Sequence, residues 1–363
     1  MTPIPDRITR KRFNRRTAPK GFAAIRDAIF ALHLRCALAV CATFTTAPGL
    51  AHQSGSKTFD HIFVIVLENH GFDDALYNGP SSFLRRLSQT QGLAANYFGV
   101  THPSLPNYLA LISGDEFGVR DDNPSCFASD LRPGQACHGF QGETLVDQLE
   151  EAGLSFALYA ESLPIGDVLQ RNNPPVGDSA LYAQKHNPFV YFEQIATNLA
   201  RRQKFKPFEA LASDLGGAAP SFVFIVPNQC HDGHGLPTCN DADQLTRDYD
   251  TFVKQTIGLI QASPNWTRNS AIVITFDEGE AASGIKGAPA YVDCCGADAN
   301  GATLGGNHVA TIVVTQCGGP ATNATPMNHY ALLATIEDGF HLPRLRKAIG
   351  APTLMDLFDP ACH

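Results

Sequence analysis

The chain has 363 residues, of which 44% are hydrophobic and 17% charged, and its formal net charge is −8. This composition is ordinary for a globular protein that buries a core, and the length predicts one large or two modest domains. Residues 1–51 contain nine of the 27 Lys and Arg residues but only two of the 35 acidic ones, so the remainder carries 18 basic and 33 acidic residues. A net charge of −15 beyond residue 51 argues against nucleic acid as a partner.

Residues 1–51 are predicted to be an export signal. A basic stretch that includes Arg10 and Arg16 precedes an apolar run at 37–44, and the small residues around Ala51 suit cleavage after it. A disordered basic tail or a short anchor is the alternative. Arg35 limits the apolar run, and a membrane-spanning helix needs about 20 apolar residues. We therefore expect a secreted or periplasmic protein with no stable membrane span in the mature chain.

From residue 60 onward, apolar runs typical of buried strands alternate with helical patterns. The predicted strands cover 60–67, 94–100, 154–160, 221–226, 271–276 and 309–315. The predicted helices cover 81–91, 108–113, 143–152, 191–202, 207–214, 242–262 and 328–339. Long loops are expected at 115–142, 162–190 and 279–305. This alternation predicts an α/β fold with a mostly parallel central sheet flanked by helices.

Eight of the ten cysteines lie beyond residue 51, an even number that favours disulfides in an exported chain. Local spacing favours the pairs Cys126–Cys137 and Cys230–Cys239. The connectivity of the other four is left open by the spacing; they are Cys294, Cys295, Cys317 and Cys362. Ligation of a soft metal is the alternative, but the chain has no paired C-x-x-C pattern to support it.

Three of the predicted strands end in polar residues. Glu68 and Asn69 follow the first strand, Asn228 follows the strand at 221–226, and Asp277 and Glu278 follow the strand at 271–276. Any one of these could be an ordinary strand-end turn. Because the carboxyl ends of strands line the ligand crevice of an open α/β sheet, we expect the three clusters to meet.

The polar clusters offer ligands for a divalent ion. Carboxylates packed closely repel one another unless a cation or a proton lies between them. The loop at 230–235 adds Asp232, His231 and His234, and His308 stands just before the strand at 309–315. Oxygen and imidazole donors together suit Zn, Ca, Mn or Fe, and ligand type alone does not choose among these ions.

Ser104 stands between Pro103 and Pro106, which restrict the backbone on either side of it. Asn107 is predicted to be the N-cap of the helix that follows, whose first N–H groups would then face an anion. A serine held at such a helix terminus suits attack on phosphate. The alternative is a proline-rich turn with an ordinary N-cap.

Six segments resemble the bacterial and fungal phosphoesterase family, which includes acid phosphatases and phosphatidylcholine-type phospholipases C within the alkaline-phosphatase-like superfamily. They are DHIFVIVLEN (60–69), THPSLPNY (101–108), PNQCHDGH (227–234), TFDE (275–278), GNHV (306–309) and HYALLATIED (329–338). They occur in the family's order, and from the first to the last they span residues 60–338, which is most of the chain beyond the predicted signal. The resemblance implies an alkaline-phosphatase-like fold and a single phosphoesterase catalytic domain at 52–363.

The resemblance also implies roles for individual residues. Ser104 would be the nucleophile and a metal contact, while Asn107 and His102 would contact the substrate. His231 and His234 are candidates, with His102, for protonating the leaving group. The implied metal ligands, besides Ser104, are Glu68, Asn69, Asp232, His234, Asp277, Glu278 and His308. The gap between Glu68-Asn69 and Ser104 is short, as in nucleotide pyrophosphatases/phosphodiesterases, whereas the larger acid phosphatases place the nucleophile farther downstream.

We therefore expect an exported, metal-dependent acid phosphatase that acts on small phosphomonoesters through a phosphoserine. A phosphodiesterase or phospholipase C on the same scaffold is the first alternative, and a non-enzymatic phosphate- or carbohydrate-binding protein is the second. A sulfatase is disfavoured because Tyr108 stands where a Cys/Ser-x-Pro-x-Arg turn needs Arg. A Ser–His–acid hydrolase is disfavoured because no G-x-S-x-G motif surrounds Ser104.

Overall fold

The computed structural model describes residues 59–122, 139–169, 172–173, 180–279 and 305–358. The predicted export signal and the Cys126–Cys137 pair lie outside these residues. The strands are β1 (His61–Leu67), β2 (Gly92–Ala94), β3 (Tyr97–Phe98), β4 (Phe156–Ala160), β5 (Asn172–Asn173), β6 (Tyr182–Ala183), β7 (Phe205–Pro207), β8 (Phe222–Val226), β9 (Ser270–Phe276), β10 (Thr311–Thr315), β11 (Ala321–Asn323) and β12 (Met327–Asn328).

The helices differ widely in length, from one turn to more than five. They are α1 (Ser82–Thr90), α2 (Ser104–Ser113), α3 (Leu145–Glu151), α4 (Glu193–Ala196), α5 (Leu199–Arg202), α6 (Ala210–Leu215), α7 (Ala242–Gln261) and α8 (His329–Gly339). A short π-helix at Asp74–Asn78 and a 3₁₀ turn at Gln184–His186 lie on either side of the site. Within the described ranges, none of these helices is long and apolar enough to cross a membrane.

Eight strands form the central sheet in the order β11-β2-β10-β9-β1-β8-β4-β7. Neighbouring strands are parallel except where β10 pairs with β9 and with β2. The predicted α/β fold with a mostly parallel sheet is therefore confirmed. β1, β8 and β9 are buried almost throughout, which explains their continuous apolar sequences.

The register of the sheet brings two of the polar strand ends to one level. Leu67 at the end of β1 pairs with Phe276 at the end of β9, so Glu68 and Asp277 are the next residues on adjacent strands. The Asp277 N–H donates to the Leu67 carbonyl over 2.9 Å, and the Glu68 N–H donates to the Asp232 carbonyl over 2.9 Å. Backbone hydrogen bonds thus join the ends of β1 and β9 and tie the loop at 230–235 to the end of β1.

The reversed direction of β10 was not predicted, and it matters for the site. Because Thr311 pairs with Thr275, the residues before β10 return to the carboxyl end of β9. There the Gly279 N–H donates to the Gly306 carbonyl over 2.7 Å. A Cβ on Gly99 would lie 2.8 Å from both the Gly306 Cα and the Asp277 carbonyl oxygen, so the chains approach closely only because these positions are glycine.

Other predicted elements need correction. The strand expected at 94–100 is instead the two short strands β2 and β3. The helix expected at 191–202 is divided into α4 and α5, because the Asn198 side chain accepts from the N–H groups of Ala200 and Arg201 and begins a new helix. β7 was not predicted. The Cys230–Cys239 disulfide is present as expected.

Glu337 of α8 is a buried carboxyl group at 0% exposure. Its Oε1 accepts from the Leu345 N–H over 2.8 Å, whereas Oε2 has no hydrogen-bond partner among the residues that the structure describes. Burial raises the pKa of Glu337 from 4.5 to about 8, although Arg344 opposes the shift. The folded protein therefore retains a proton that the unfolded chain loses above pH 4.5, and stability falls as the pH rises towards 8.

We expect Glu337→Gln to remove this dependence, because the amide resembles the protonated acid. Between pH 5 and pH 8 the variant should gain about 3 kcal/mol relative to the parent protein, measured by urea unfolding at both pH values. Glu151→Gln, at an exposed carboxylate of α3, is the matched control and should not gain. Parallel pH profiles for the parent protein and Glu337→Gln would contradict the assignment.

Candidate active site

Ser104 is the first residue of α2, and it is 1% exposed. Its Oγ lies 2.9 Å from Glu68 Oε2 and 3.4 Å from Glu278 Oε1. The single hydroxyl proton can serve one acceptor at a time, and Glu68 is the nearer. Ser104 therefore lies beside the residues that follow β1 and β9.

Pro106 falls within the first turn of α2, where N–H groups have no partner inside the helix, so the missing donor costs little. The expected N-cap was wrong: the capping position is Pro103, and Asn107 lies inside the helix.

Asn107 is fully buried and its side chain is engaged by the loop before α2. Its Oδ1 accepts from the N–H groups of Val100 and Thr101 over 2.7 and 3.1 Å. Its Nδ2 donates to the carbonyls of Thr101 and Pro103 over 2.6 and 3.2 Å. Both amide hydrogens are used, so contact with a phosphoryl oxygen would require one of these bonds to break. The geometry supports a positioning role for Asn107.

Four buried carboxylates come from the strand ends beside Ser104 and from the loop at 230–235. We call Glu68, Asp232, Asp277 and Glu278 the carboxylate cluster; their exposures are 0%, 0%, 0% and 4%. Burial raises the pKa of Asp277, as do the charges of Glu68 and Glu278. Burial likewise raises the pKa of Asp232 and Glu278. Burial alone would also raise the pKa of Glu68, but His186 and Lys185 hold it below its usual range.

His186 lies between two members of the carboxylate cluster. Its Nε2 is 3.1 Å from Glu68 Oε1, and its Nδ1 is 3.4 Å from Asp232 Oδ2. Its ring stacks on Tyr108 with centroids 5.2 Å apart. Burial opposes the charged ring, yet the Glu68 carboxylate and contacts with both acids raise the pKa of His186 to about 9. His186 therefore supplies a positive charge inside the cluster.

Lys185 supplies a second positive charge, beside Ser104. Its Nζ lies 3.3 Å from Ser104 Oγ, 3.0 Å from Asp122 Oδ2 and 3.3 Å from His234 Nε2. The charges of Glu68 and Asp122 raise the pKa of Lys185 despite its burial, so the ammonium form is favoured. Asp122 also accepts from the Leu105 N–H over 2.9 Å, which ties this acid to the start of α2.

Asn69 and His102, two other residues predicted from the sequence, contact members of the carboxylate cluster. The Asn69 N–H donates to Asp277 Oδ1 over 3.3 Å, and Asn69 has a φ of 55°, a conformation that Asn tolerates better than most residues. His102 Nδ1 contacts Glu278 Oε2. Both residues therefore border the carboxylate cluster.

His231 and His308 have other surroundings. His231 Nδ1 is 2.9 Å from Glu161 Oε2, and this contact, opposed by burial, raises the pKa of His231. The ring of His308 stacks on Phe72 with centroids 4.2 Å apart, and its Nε2 is 3.0 Å from the Ala95 carbonyl oxygen. Their predicted roles as proton donor and metal ligand stay predictions.

The donors at the carboxylate cluster fit a divalent ion of the kind that the family resemblance implies. Asp277 Oδ2 is buried without a hydrogen-bond partner in the described part of the chain. Hard carboxylate oxygens beside a hydroxyl suit Ca²⁺, Mn²⁺ or Zn²⁺. Among the described residues, no group of three or more His, Cys, Asp or Glu side chains is placed so that it could hold a metal ion as the chain stands. The residues that would hold the ion are Glu68, Asn69, Ser104, Asp277 and Glu278.

The sequence prediction missed Lys185, His186 and Asp122. All three fall in segments that were expected to be long loops, and no strand end or helix pattern singles them out. Charge balance was the available signal, because a cluster of buried acids requires cations close by. That requirement does not by itself distinguish Lys185 and His186 from the other basic residues of the predicted loops, such as Arg120.

Comparison with known proteins identifies the family of the chain and two similar relatives. The Phosphoesterase family model matches residues 75–343. A probable acid phosphatase of Kluyveromyces lactis is 28% identical over 84% of this chain and 64% of its own length. A phosphatidylinositol-3-phosphatase of Mycobacterium tuberculosis is 28% identical over 85% of this chain and 86% of its own length.

Solved structures support the fold. A Bacteroides thetaiotaomicron protein from work on glycosaminoglycan metabolism has a TM-score of 0.51 at 12% identity, covering 83% of this chain and 82% of its own. The structure of Ps i-CgsB with k-i-k-neocarrahexaose has a TM-score of 0.50 at 15% identity, covering 82% and 75%. These likenesses support the α/β fold with a mostly parallel sheet described above. The chain belongs to the Phosphoesterase family, whose members are hydrolases that act on phosphoric esters.

Proposed function

We propose that this protein is an exported, metal-dependent acid phosphatase that hydrolyses phosphomonoesters through a phosphoserine at Ser104. The observation that carries the proposal is the position of Ser104 Oγ, which lies between Glu68 Oε2 at 2.9 Å and Lys185 Nζ at 3.3 Å. A hydroxyl with a proton acceptor on one side and a cation on the other is suited to nucleophilic attack.

Similarity to named relatives supports the substrate class. An acid phosphatase and a phosphatidylinositol-3-phosphatase both act on phosphomonoesters, and each is 28% identical to this chain. The chain spans 64% of the length of the Kluyveromyces relative, so that protein's activity is transferred here only as a proposal. Export rests on the predicted signal at residues 1–51.

In the first step, Ser104 Oγ attacks phosphorus while its proton passes to Glu68 Oε2. The Oγ–P bond forms as the bond from phosphorus to the leaving oxygen breaks, and that oxygen takes up a proton and departs as the alcohol. His102 is the donor we assign, because its Nδ1 contacts Glu278, whose Oε1 lies 3.4 Å from Ser104 Oγ. Water then attacks phosphorus and gives a proton to His102 as the Oγ–P bond breaks, and Ser104 Oγ takes back its proton from Glu68 as phosphate leaves.

A divalent ion held by Glu68, Asn69, Asp277 and Glu278 would lower the pKa of the Ser104 hydroxyl and neutralise phosphate charge. The other contributions to the reaction come from residues of the protein. Burial keeps water from the cluster, and Asn107 holds the loop that leads into Ser104.

Rates on four substrates test the proposal: p-nitrophenyl phosphate, bis(p-nitrophenyl) phosphate, phosphatidylcholine and p-nitrophenyl sulfate. We expect kcat/KM for the monoester to exceed the others by at least about 10²-fold. Faster turnover of the diester or of phosphatidylcholine would identify the alternatives on the same scaffold. Absence of turnover with every divalent ion would identify a binding protein. Phosphatidylinositol 3-phosphate in vesicles, compared with the soluble monoester, separates lipid from small-molecule substrates.

Removal of metal is the second test. We expect dialysis against a chelator to lower activity by at least about 10²-fold, and one divalent ion to restore it. Full activity of the chelated protein, shown to be metal-free by elemental analysis, would contradict metal dependence.

A further inference from the structure

Lys185 occupies a defined position beside the nucleophile. It belongs to the 3₁₀ turn Gln184–His186, and its side chain is 14% exposed. The Nζ has three neighbours within hydrogen-bond distance: Ser104 Oγ, Asp122 Oδ2 and His234 Nε2. An ammonium group carries three hydrogens, so the three neighbours can use all of them.

The hydrogen-bond directions follow from the chemistry of the partners. The Gly235 carbonyl, 2.9 Å from His234 Nδ1, can only accept, so we assign the ring proton to Nδ1. His234 Nε2 is then an acceptor, and Lys185 donates to it. Asp122 and His234 therefore fix the ammonium group from two sides, and its third hydrogen points at Ser104 Oγ.

This arrangement stabilises charge where it appears during the reaction. The Ser104 proton is directed to Glu68 Oε2, so an oxygen lone pair faces Lys185. Negative charge on Oγ after proton loss lies next to the ammonium. The oxygens of a phosphoryl group bonded to Oγ lie beside the same cation. Preorganised charge in a site shielded from water is worth much more than the same charge in solution.

We infer that Lys185 is a catalytic residue that stabilises the charge on Ser104 Oγ and on the phosphoryl group, and that it favours dianionic monoesters over monoanionic diesters. Asp122 and His234 are the positioning residues that aim it. The inference rests on the proposed function, in which Ser104 is the nucleophile. In this inference His234 positions Lys185, whereas the sequence predicted that His234 donates a proton to the leaving group.

The principal variant is Lys185→Met, which keeps the length of the side chain without the charge. We expect kcat/KM for p-nitrophenyl phosphate to fall by about 10²- to 10³-fold, and for bis(p-nitrophenyl) phosphate by about tenfold or less. Lys206→Met is the matched control, because Lys206 also pairs with an acid, Asp214, but lies on β7 away from Ser104. The control should match the parent protein in both rates.

A binding measurement separates the charge from turnover. Inorganic phosphate is titrated calorimetrically into metal-free and metal-loaded protein. We expect Lys185→Met to weaken phosphate binding at least about tenfold in both forms, and Lys185→Arg to bind more tightly than Lys185→Met because its charge remains. Circular dichroism shows that each variant is folded.

The outcomes are distinguishable. Failure of the parent protein to hydrolyse any phosphoester would remove the proposed function itself. A parent protein that hydrolyses monoesters, with Lys185→Met unchanged in rate and phosphate affinity, would overturn the role of Lys185 alone. If Lys185→Met does not fold, the same rates and phosphate affinities are measured for Lys185→Gln and Asp122→Asn. Asp122→Asn keeps the acceptor for the Leu105 N–H, and an unchanged rate and phosphate affinity in either folded variant would overturn the inference.

Discussion

Replacing Ser104 with alanine is expected to lower kcat/KM for a phosphomonoester by at least about 10³-fold. The variant removes the oxygen that lies 2.9 Å from Glu68 Oε2 and 3.3 Å from Lys185 Nζ. No other hydroxyl is placed between these two groups in the described part of the chain. The loss should appear in kcat, because the bond that the hydroxyl forms exists only after attack.

A matched control is available on the same helix. Ser113, at the other end of α2, donates its hydroxyl to the Leu109 carbonyl over 2.7 Å. Ser113→Ala should retain activity within a few-fold. Binding of the divalent ion, measured by calorimetry, should largely survive in Ser104→Ala, since the carboxylates remain. Parent-like turnover by folded Ser104→Ala would remove Ser104 from the chemistry.

Replacing Asp277 with asparagine is expected to have opposite effects on activity and on the stability of the metal-free protein. Activity should fall by at least about 10²-fold, because a charged oxygen donor becomes an amide. The metal-free protein should become more stable by about 1–3 kcal/mol at neutral pH, because one buried acid is removed from the carboxylate cluster. Asparagine keeps the Oδ1 that accepts from the Asn69 and Glu278 N–H groups.

Thermal unfolding with and without the divalent ion measures the stability of the metal-free protein and the additional stability that the ion provides. The ion should raise the melting temperature of the parent protein more than that of Asp277→Asn. Asp243→Asn, an exposed acid in the first turn of α7, is the control and should shift stability by less than about 1 kcal/mol. A less stable, metal-free Asp277→Asn would show that the carboxylate is needed for structure.

The parts of the fold that can be predicted from the sequence are those determined by residues close together in the chain. β1, β8 and β9 are continuous apolar runs because both faces are buried, and each is followed by polar residues at the crevice. Glu68 and Asp277 could be placed together for that reason alone. The reversed direction of β10 was not apparent, because it involves close approaches such as that of Gly99 to Gly306, which are far apart in the chain.

The parts of the site that do not follow from the sequence have tertiary causes. Lys185 and His186 lie in a short 3₁₀ turn within a predicted loop, and their place in the site comes from contacts with Ser104 and the carboxylate cluster. Asn107 has the residue type of a helix N-cap, yet it holds the preceding loop from inside α2. Its neighbours in space, and not its position in a pattern, decide its role.

Trapping the covalent intermediate is the most direct test of Ser104 as the nucleophile. The metal-loaded protein is mixed with a phosphomonoester, quenched in acid within the first turnovers, digested and examined by mass spectrometry. We expect phosphate on Ser104 in the parent protein and none in Ser104→Ala. Rapid turnover with phosphate on another residue, or with direct inversion of configuration at phosphorus, would contradict a phosphoserine at Ser104.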